Sequence, residues 1–479
     1  MYTEHGYMSF KGIDCCFYEG AECFTLITKD EQSYSRIMDA VNGPKEPIAY
    51  STRTDKCCTL VYQEAHNDFE AIYLVPKYVV RVLENKFSSI VLTGETIDAF
   101  FSPIRYFYRK RVAKQEYVAD LLYSQQMVDQ WDITFNSQII HVEFSYGNIL
   151  QNGVASDLRL HPRIRMTFQQ TSDPTVLYKV YQIIRRFLQI VFYISDCGKV
   201  NVEVYGGENG QSFLGYLHDY QVNEKLKYRD DSRLINYSSY RDYVAQLLQF
   251  AADNPNLIFD HYPEYGIRID KSDYSPALAF DVFSAFEREC SENPTLYEKT
   301  NDAEFQPIKD TIIRMLDEIE PICQMESEKW FVQEARGRIQ QLGTQIGQAN
   351  KVKKAYEVLS ETVDSSIENI LWRWHFTNPS HLDESEIKRI SKLLSRIRGK
   401  KAHGNAMEEL SEEEVQAIRL LELINYTQML LRAGISNADA AMISGAVFYS
   451  NQLLLEREMK LLHALKAPNS CAAGETENK

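Results

Sequence analysis

The chain has 479 residues, 44% hydrophobic and 25% charged, with a formal net charge of −15. That length accommodates two or three domains with a sizeable core. The acidity excludes a basic coat of the kind that holds duplex nucleic acid non-specifically, so any nucleic-acid contact must come from a local patch. The most apolar run, residues 176–195, is interrupted by Lys179, Arg185 and Arg186, which argues against a membrane-spanning helix. The opening "MYTEHGYMSFKG" lacks a charged segment followed by an apolar one, so no secretory signal is expected. Nine scattered cysteines suit a reducing cytoplasm.

In chain order, the first half is β-rich. "CFTLITKDE", "CCTLVYQEA", "AIYLVPKYVVRVLE", "SIVLTGETI", "DITFNSQIIHVEFSYGN", "RIRMTFQQ" and "KVNVEVYGG" are short and rich in β-branched and aromatic residues. Ile140, Val142 and Phe144 alternate with His141, Glu143 and Ser145, which predicts antiparallel sheets with one wet face. The vicinal pairs Cys15-Cys16 and Cys57-Cys58 fall in such runs. Neighbouring strand side chains point to opposite faces, so each pair offers one thiol to a shared site, and structural cysteines are expected. The main helical segment of this half is Pro174 to Ile194, with Ser172 and Asp173 as N-cap candidates. "YGGENGQSF" is a turn, its glycines too irregular for a phosphate loop.

Helical periodicity takes over near residues 262–275. Ser275 and Pro276 open a helix over "SPALAFDVFSAFERECSE". Further helices are expected at about 307–322, 328–346, 350–374, 383–398, 401–433 and 437–465. The fold class is therefore α+β: a β-rich N-terminal region over 1–272, in one or two antiparallel lobes, then an all-α bundle over 273–465 and a disordered tail over 466–479.

One local asymmetry stands out. Lys388, Arg389, Lys392, Arg396, Arg398, Lys400 and Lys401 are all basic, and no acid lies between Glu386 and Glu408. Ile387, Ile390, Leu394 and Ile397 form a helical apolar stripe beneath them. Just beyond is His403. An arginine followed by four to six residues and a histidine occurs three times, as Arg398–His403, Arg396–His403 and Arg457–His463. Composition alone yields about one or two such matches, so the spacing carries no weight by itself. A charge run of this kind is ordinarily a solvated helix face. The other histidines read as structural or surface groups, His141, His161, His375 and His381 among them. Aromatic residues in the first half read as strand packing rather than as base-stacking platforms.

The surrounding residues add context. "RGKKAHG" resembles the Arg-(polar)-x-x-Ala-His-Gly signature of HEPN domains. "FSAFERE" looks like the opening of that family's first helix, and "IRLLELINYTQMLLRAGIS" like a long apolar helix closed by Gly434. In layout the chain most resembles ApeA-like HEPN proteins of bacterial anti-phage defence. It departs from them at Gly399, where the family usually carries Asn, Asp or His. The resemblance implies a cytoplasmic, metal-independent endoribonuclease acting by abortive infection, a homodimer or higher oligomer, with RNA as substrate. A phage-derived trigger would be sensed by the β-rich region, and no cofactor or membrane partner is implied. Arg398 and His403 would be catalytic. Arg396, Lys392, Lys400, Lys401 and Asn405 would be auxiliary or RNA-binding.

The chemistry suits these residue types. RNA carries its own nucleophile, the 2′-hydroxyl. Cleavage needs a base, an acid and cations for the developing charge; histidine titrates near neutrality, and arginine grips phosphate oxygens in a fork. One histidine does not easily serve as both base and acid, which a twofold dimer remedies. On a continuous helix Arg396 shares a face with His403, whereas Arg398 lies about 140° away. Gly399 is placed to break the helix and bring Arg398 round. A non-catalytic HEPN-like module that binds RNA or protein is the alternative.

Overall fold

The computed structural model describes residues 4–43, 45–52, 57–68, 71–101, 126–151, 154–207, 210–222, 240–264, 271–293, 306–341, 350–360, 382–402 and 409–449. These fall into two compact units, one within residues 1–266 and one within 267–457. The first is β-rich and the second helical, as the α+β reading expects.

The strands of the first unit are β1 (Glu4–Phe10), β2 (Ile13–Glu19), β3 (Phe24–Ile27), β4 (Ile48–Thr52), β5 (Cys57–Asn67), β6 (Ile72–Val82), β7 (Phe87–Thr93), β8 (Gln126–Phe135), β9 (Gln138–Gln151), β10 (Val154–Thr171), β11 (Asn201–Gly206) and β12 (Ser212–Asp219). They run in the order β3-β2-β1-β4-β5-β6-β12-β11-β7-β10-β9-β8, and a β3–β6 pairing closes the first six into a barrel. Strand β6 belongs to both halves. Its start pairs with β3 (Ile72 with Leu26, Leu74 with Phe24), and its end pairs along β12 from Tyr78–Asp219 to Val82–Gly215. Pro76 lies between the two pairings. Proline brings no N–H to a ladder, so it suits the point where one neighbour leaves and another joins. Bulges in β5 at Val61, Tyr62 and Glu64 face the same place. Gly215 shows how close the junction is. At φ +155, a Cβ built there would come 1.9 Å from the Arg81 carbonyl oxygen.

Alternating side chains fill the barrel: Phe10, Phe17, Phe24, Leu60, Leu74 and Val79 are buried together with Ile37 of helix α1 (Glu31–Val41). Cys15 and Cys58 point in, while Cys16 is exposed and Cys57 half-buried, as expected of neighbours on a strand. The second sheet is covered on one face by α2 (Glu95–Phe100) and α3 (Pro174–Phe192), with α4 (Val244–Asp253) packed on α3. Phe100, Phe144 and Phe187 meet edge to face, and Tyr78 stacks on Tyr178. Asp173 caps α3 by accepting from the Thr175 N–H. The two arginines that break its apolar run are buried and used. Arg185 donates to Asp219 at 2.9 Å and Asp196 at 2.8 Å. The Arg186 Nε donates to the Ala251 carbonyl, and burial pulls this guanidinium down to about 10. Ile140, Val142 and Phe144 are buried as the alternation implies. On the other face His141 is exposed and Glu143 half-buried, but Ser145 is only 1% exposed, so that face is not uniformly wet. In "YGGENGQSF", Tyr205 and Gly206 end β11, Ser212 and Phe213 begin β12, and Gly207 and Gly210 have positive φ; residues 208 and 209 lie outside the described residues.

The second unit contains α5 (Pro276–Glu292), α6 (Gln306–Ile319), α7 (Glu326–Gln341), α8 (Glu384–Ala402), α9 (Glu412–Arg432) and α10 (Asn437–Tyr449), and residues 350–360 are also helical. Ser275 caps α5 through the Leu278 N–H, with Pro276 in the first turn. Helix α9 is buried on all sides from Val415 to Leu430. It ends where Gly434, at φ +87, lets Ile435 N–H reach the Leu430 carbonyl and Gly434 N–H the Leu431 carbonyl. Among the described residues, no helix is long and apolar enough to cross a membrane.

Candidate functional site

The candidate site is built on α8, α5 and α9, which pack on one another. Helix α8 starts where the Asp383 carboxylate accepts from Glu386 N–H at 2.9 Å and from the Ser385 hydroxyl. Ile387, Ile390, Leu394 and Ile397 are each 2–3% exposed, and Leu393 joins them. Burying side chains of this size stabilises the contact by roughly 1.5–3 kcal/mol each, before the entropy of ordering them. Ser391, in the middle of that face, donates to the Ile387 carbonyl at 2.6 Å and so leaves no unmet hydroxyl. The opposite face carries Lys388, Arg389, Lys392 and Arg396, all exposed.

The helix does not break at Gly399. It runs on through Arg398, Gly399, Lys400 and Lys401 to Ala402. The expected swing of Arg398 round a glycine break is therefore corrected: Arg396 and Arg398 stay two residues apart on one helix, about 200° around its axis. They accordingly meet different neighbours. Arg396 lies 3.6 Å from Glu414 in the first turn of α9. Arg398, its side chain 39% exposed, lies 3.3 Å from Glu287 of α5. One turn-pair upstream, Arg389 lies 2.6 Å from Glu413. The acids missing from the local sequence are thus supplied in space.

Glu413 and Glu414 are in place because α9 begins at Glu412, not near 401. Ser411 accepts from the Glu414 N–H, and the Glu414 carboxylate accepts from the Ser411 N–H, forming a reciprocal capping box. Glu287 is on α5, two residues before Glu289. Glu289 is buried and accepts from two of the Arg432 nitrogens, Nη2 at 2.7 Å and Nε at 3.0 Å. Burial pushes the Glu289 carboxyl up from the ordinary range, and Arg432 opposes that shift. Tyr274 donates to the buried Glu422 of α9 at 3.0 Å. These contacts pin α5 to α9 and so set the position of Glu287 opposite Arg398.

His403 and Asn405 lie outside the described residues, and of Lys400 and Lys401 only the helical backbone is described. Lys392 is on the exposed face. Arg457, His463, His375 and His381 also lie outside. His141 pairs with Asp132 at 2.5 Å on an exposed strand face, and His161 is 3.6 Å from Asp98, consistent with structural roles. Among the described residues, no three His, Cys, Asp or Glu side chains group as metal ligands.

Sequence reasoning missed Glu287 as a partner of the motif arginine. "FSAFERE" marked its helix, but no linear spacing ties position 287 to position 398. The Ser411-x-x-Glu414 pattern, by contrast, is a readable helix start. What the described arrangement can do is hold an anion. Arg398, Arg396 and Lys392 present cationic groups at the surface, and the ion pairs that engage the two arginines are partly exposed and weak enough for a phosphate to displace. No family model, no curated protein and no solved structure matches the chain.

Proposed function

We propose that the protein is a HEPN-type endoribonuclease resembling the ApeA-like proteins, acting in the cytoplasm in anti-phage defence by abortive infection. In this reading His403 works as base or acid on the 2′-hydroxyl or the leaving 5′-oxygen, and Arg398 neutralises charge building on the phosphate. Lys392, Lys400, Lys401 and Arg396 hold flanking phosphates, and Asn405 orients the imidazole or backbone. The metal-independent route needs two such sets, which a twofold homodimer provides. The β-rich region would restrain the helical one until a phage component is sensed.

The observation that supports it best is the placement of Arg398. It sits near the C-terminal end of a basic helix, partly exposed, on the side facing α5, five residues before the histidine of "RGKKAHG". A charge that is accessible yet held by one weak partner can exchange that partner for a phosphate.

A second reading, a non-catalytic module that binds RNA or protein, is favoured by Gly399 in the place of the usual polar residue and by the unbroken helix through it. Incubation of the purified protein and of His403→Ala with total RNA, with and without EDTA, separates the two. Cleavage that survives EDTA and disappears in the variant supports the enzyme. Equal cleavage by the variant overturns the assignment, and binding without cleavage by either protein supports the module.

A further inference from the structure

Strand packing accounts for Phe100, Phe144 and Phe187, which meet beneath α3. It does not account for four rings on β11 and β12. Val202 and Val204 of β11 and Leu217 of β12 are buried on the side of the sheet where Asp219 takes Arg185 of α3. By alternation Tyr205, Tyr216 and His218 stand on the other side. Phe213 joins them opposite Tyr205, at the bulge between Val204 and Tyr205. The rings form one continuous strip. Tyr205 and Phe213 meet edge to face at 5.7 Å, Phe213 and Tyr216 at 5.1 Å, and Tyr216 and His218 lie 6.1 Å apart. Phe213 is 43% exposed and Tyr216 46%, and His218 is exposed.

The charge beside the strip is positive and unbalanced. The Arg165 guanidinium lies over the Tyr205 ring, 4.9 Å from its centre. Its Nη1 donates to the Ser89 hydroxyl at 3.2 Å and to the Gly210 carbonyl at 3.1 Å. Among the described residues it has no carboxylate partner; Glu143 stands opposite it in register without an ion pair. Arg163 lies on the same face, two residues before it. The nearest acid on β11, Glu203, already accepts from the Tyr205 hydroxyl at 2.7 Å. Burial and then Glu203 push that phenol up to about 12, so it stays neutral. A cationic partner would meet Arg165, whereas a phosphate would be drawn to it.

Size narrows the partner further. The exposed parts of Phe213 and Tyr216 amount to on the order of 200 Å². A stable protein interface needs roughly 800 Å² per partner, but two flat bases need no more than such a strip. Each base in a duplex is covered by its neighbours, so only an unpaired strand has faces to offer.

We propose that the strip from Tyr205 to His218 is a stacking platform for an unpaired strand of nucleic acid, with about two bases on its rings and a phosphate at Arg165. The site lies in the first unit and uses none of the residues of the ribonuclease reading, so either stands if the other fails.

A labelled deoxythymidine hexamer tests this, since it cannot pair and has no 2′-hydroxyl to be cut. Anisotropy with the full chain is expected to show binding that Phe213→Ala with Tyr216→Ala weakens by roughly tenfold or more, with unchanged circular dichroism. Phe213→Tyr with Tyr216→Phe keeps both rings and is expected to bind as the wild type does. Arg165→Gln is expected to reduce the slope of log affinity against log salt by about 0.7, the loss of one phosphate contact. An abasic deoxyribose-phosphate hexamer is expected to bind the wild type roughly tenfold more weakly. A hexamer carrying 5-iodouracil is expected to crosslink to Phe213 or Tyr216 on irradiation. A 2′-O-methyluridine hexamer run alongside names the natural strand, RNA where it binds more tightly and DNA where it does not. Unchanged affinity in the alanine variant, equal binding of the abasic hexamer, or crosslinks that miss both rings overturns the proposal. A wild-type chain that binds no hexamer overturns it as well.

Discussion

The Arg398 guanidinium stands 3.3 Å from the Glu287 carboxylate, so the motif arginine is held by an acid from a different helix. With the two side chains 39% and 28% exposed, the pair adds at most about 1 kcal/mol to stability. It competes directly with any phosphate that Arg398 would bind. Glu287→Gln is therefore expected to raise affinity for single-stranded RNA by roughly two- to fivefold, with little change in thermal midpoint. Fluorescence anisotropy with a labelled oligonucleotide measures it. Unchanged affinity would place Arg398 outside the RNA path.

Arg432→Ala should be far more costly than any change at Arg398. It strands Glu289, whose side chain is 8% exposed. Losing one member of a buried pair costs about 3–5 kcal/mol. The deficit should depend on pH. Burial raises Glu289, so the native state favours its protonated form more than the unfolded chain does. Stability contributed by such a group is lost as pH rises from the unfolded value, about 4.3, toward the raised one. Without Arg432 the shift grows. Urea titrations should show a larger deficit near pH 8 than near pH 4, where a neutral carboxyl needs no cation.

The two thiols of Cys15-Cys16 should differ in reactivity by orders of magnitude. Burial pushes Cys15 up to about 12, and its neighbours Cys16 and Asp14 add to the rise. Near pH 8 about one Cys15 in ten thousand is then thiolate. Cys16 is exposed. Brief alkylation followed by peptide mass mapping is expected to label Cys16 and spare Cys15. Equal labelling would mean that the barrel opens on the reaction timescale.

Gly215→Ala tests the seam between barrel and second sheet. The added methyl would meet the Arg81 carbonyl at 1.9 Å, and no side chain is there to move aside. Loss of the β12–β6 register at Val82 is expected, with a cost on the order of 3 kcal/mol or more. The denaturant midpoint and the solubility of the expressed variant report it.

Much of the fold was legible because local rules and tertiary contacts agree. Asp173, Ser275 and Gly434 each stand at a helix boundary that their chemistry demands. Helix α1 was not legible: "EQSYSRIMDAV" buries only Ile37 and Val41, too few positions to set a period. The start of α9 was misread because the basic and apolar residues on either side of position 403 run together as one helical pattern. The capping box at Ser411 decides against that. The basic cluster itself was legible, but its electrostatics were not. Glu287, Glu413 and Glu414 reach it only through packing, and the sequence between Glu386 and Glu408 holds no sign of them.

Strand β6 has a mechanical consequence. Because one continuous backbone serves the barrel on one stretch and the outer sheet on the next, neither can rotate or peel away as a rigid block. Separating them means tearing hydrogen bonds along the shared strand, not bending a linker. A load on the barrel wall is therefore expected to pass along β6 into the sheet beneath α3. The shared strand predicts that the two melt together rather than in separate steps.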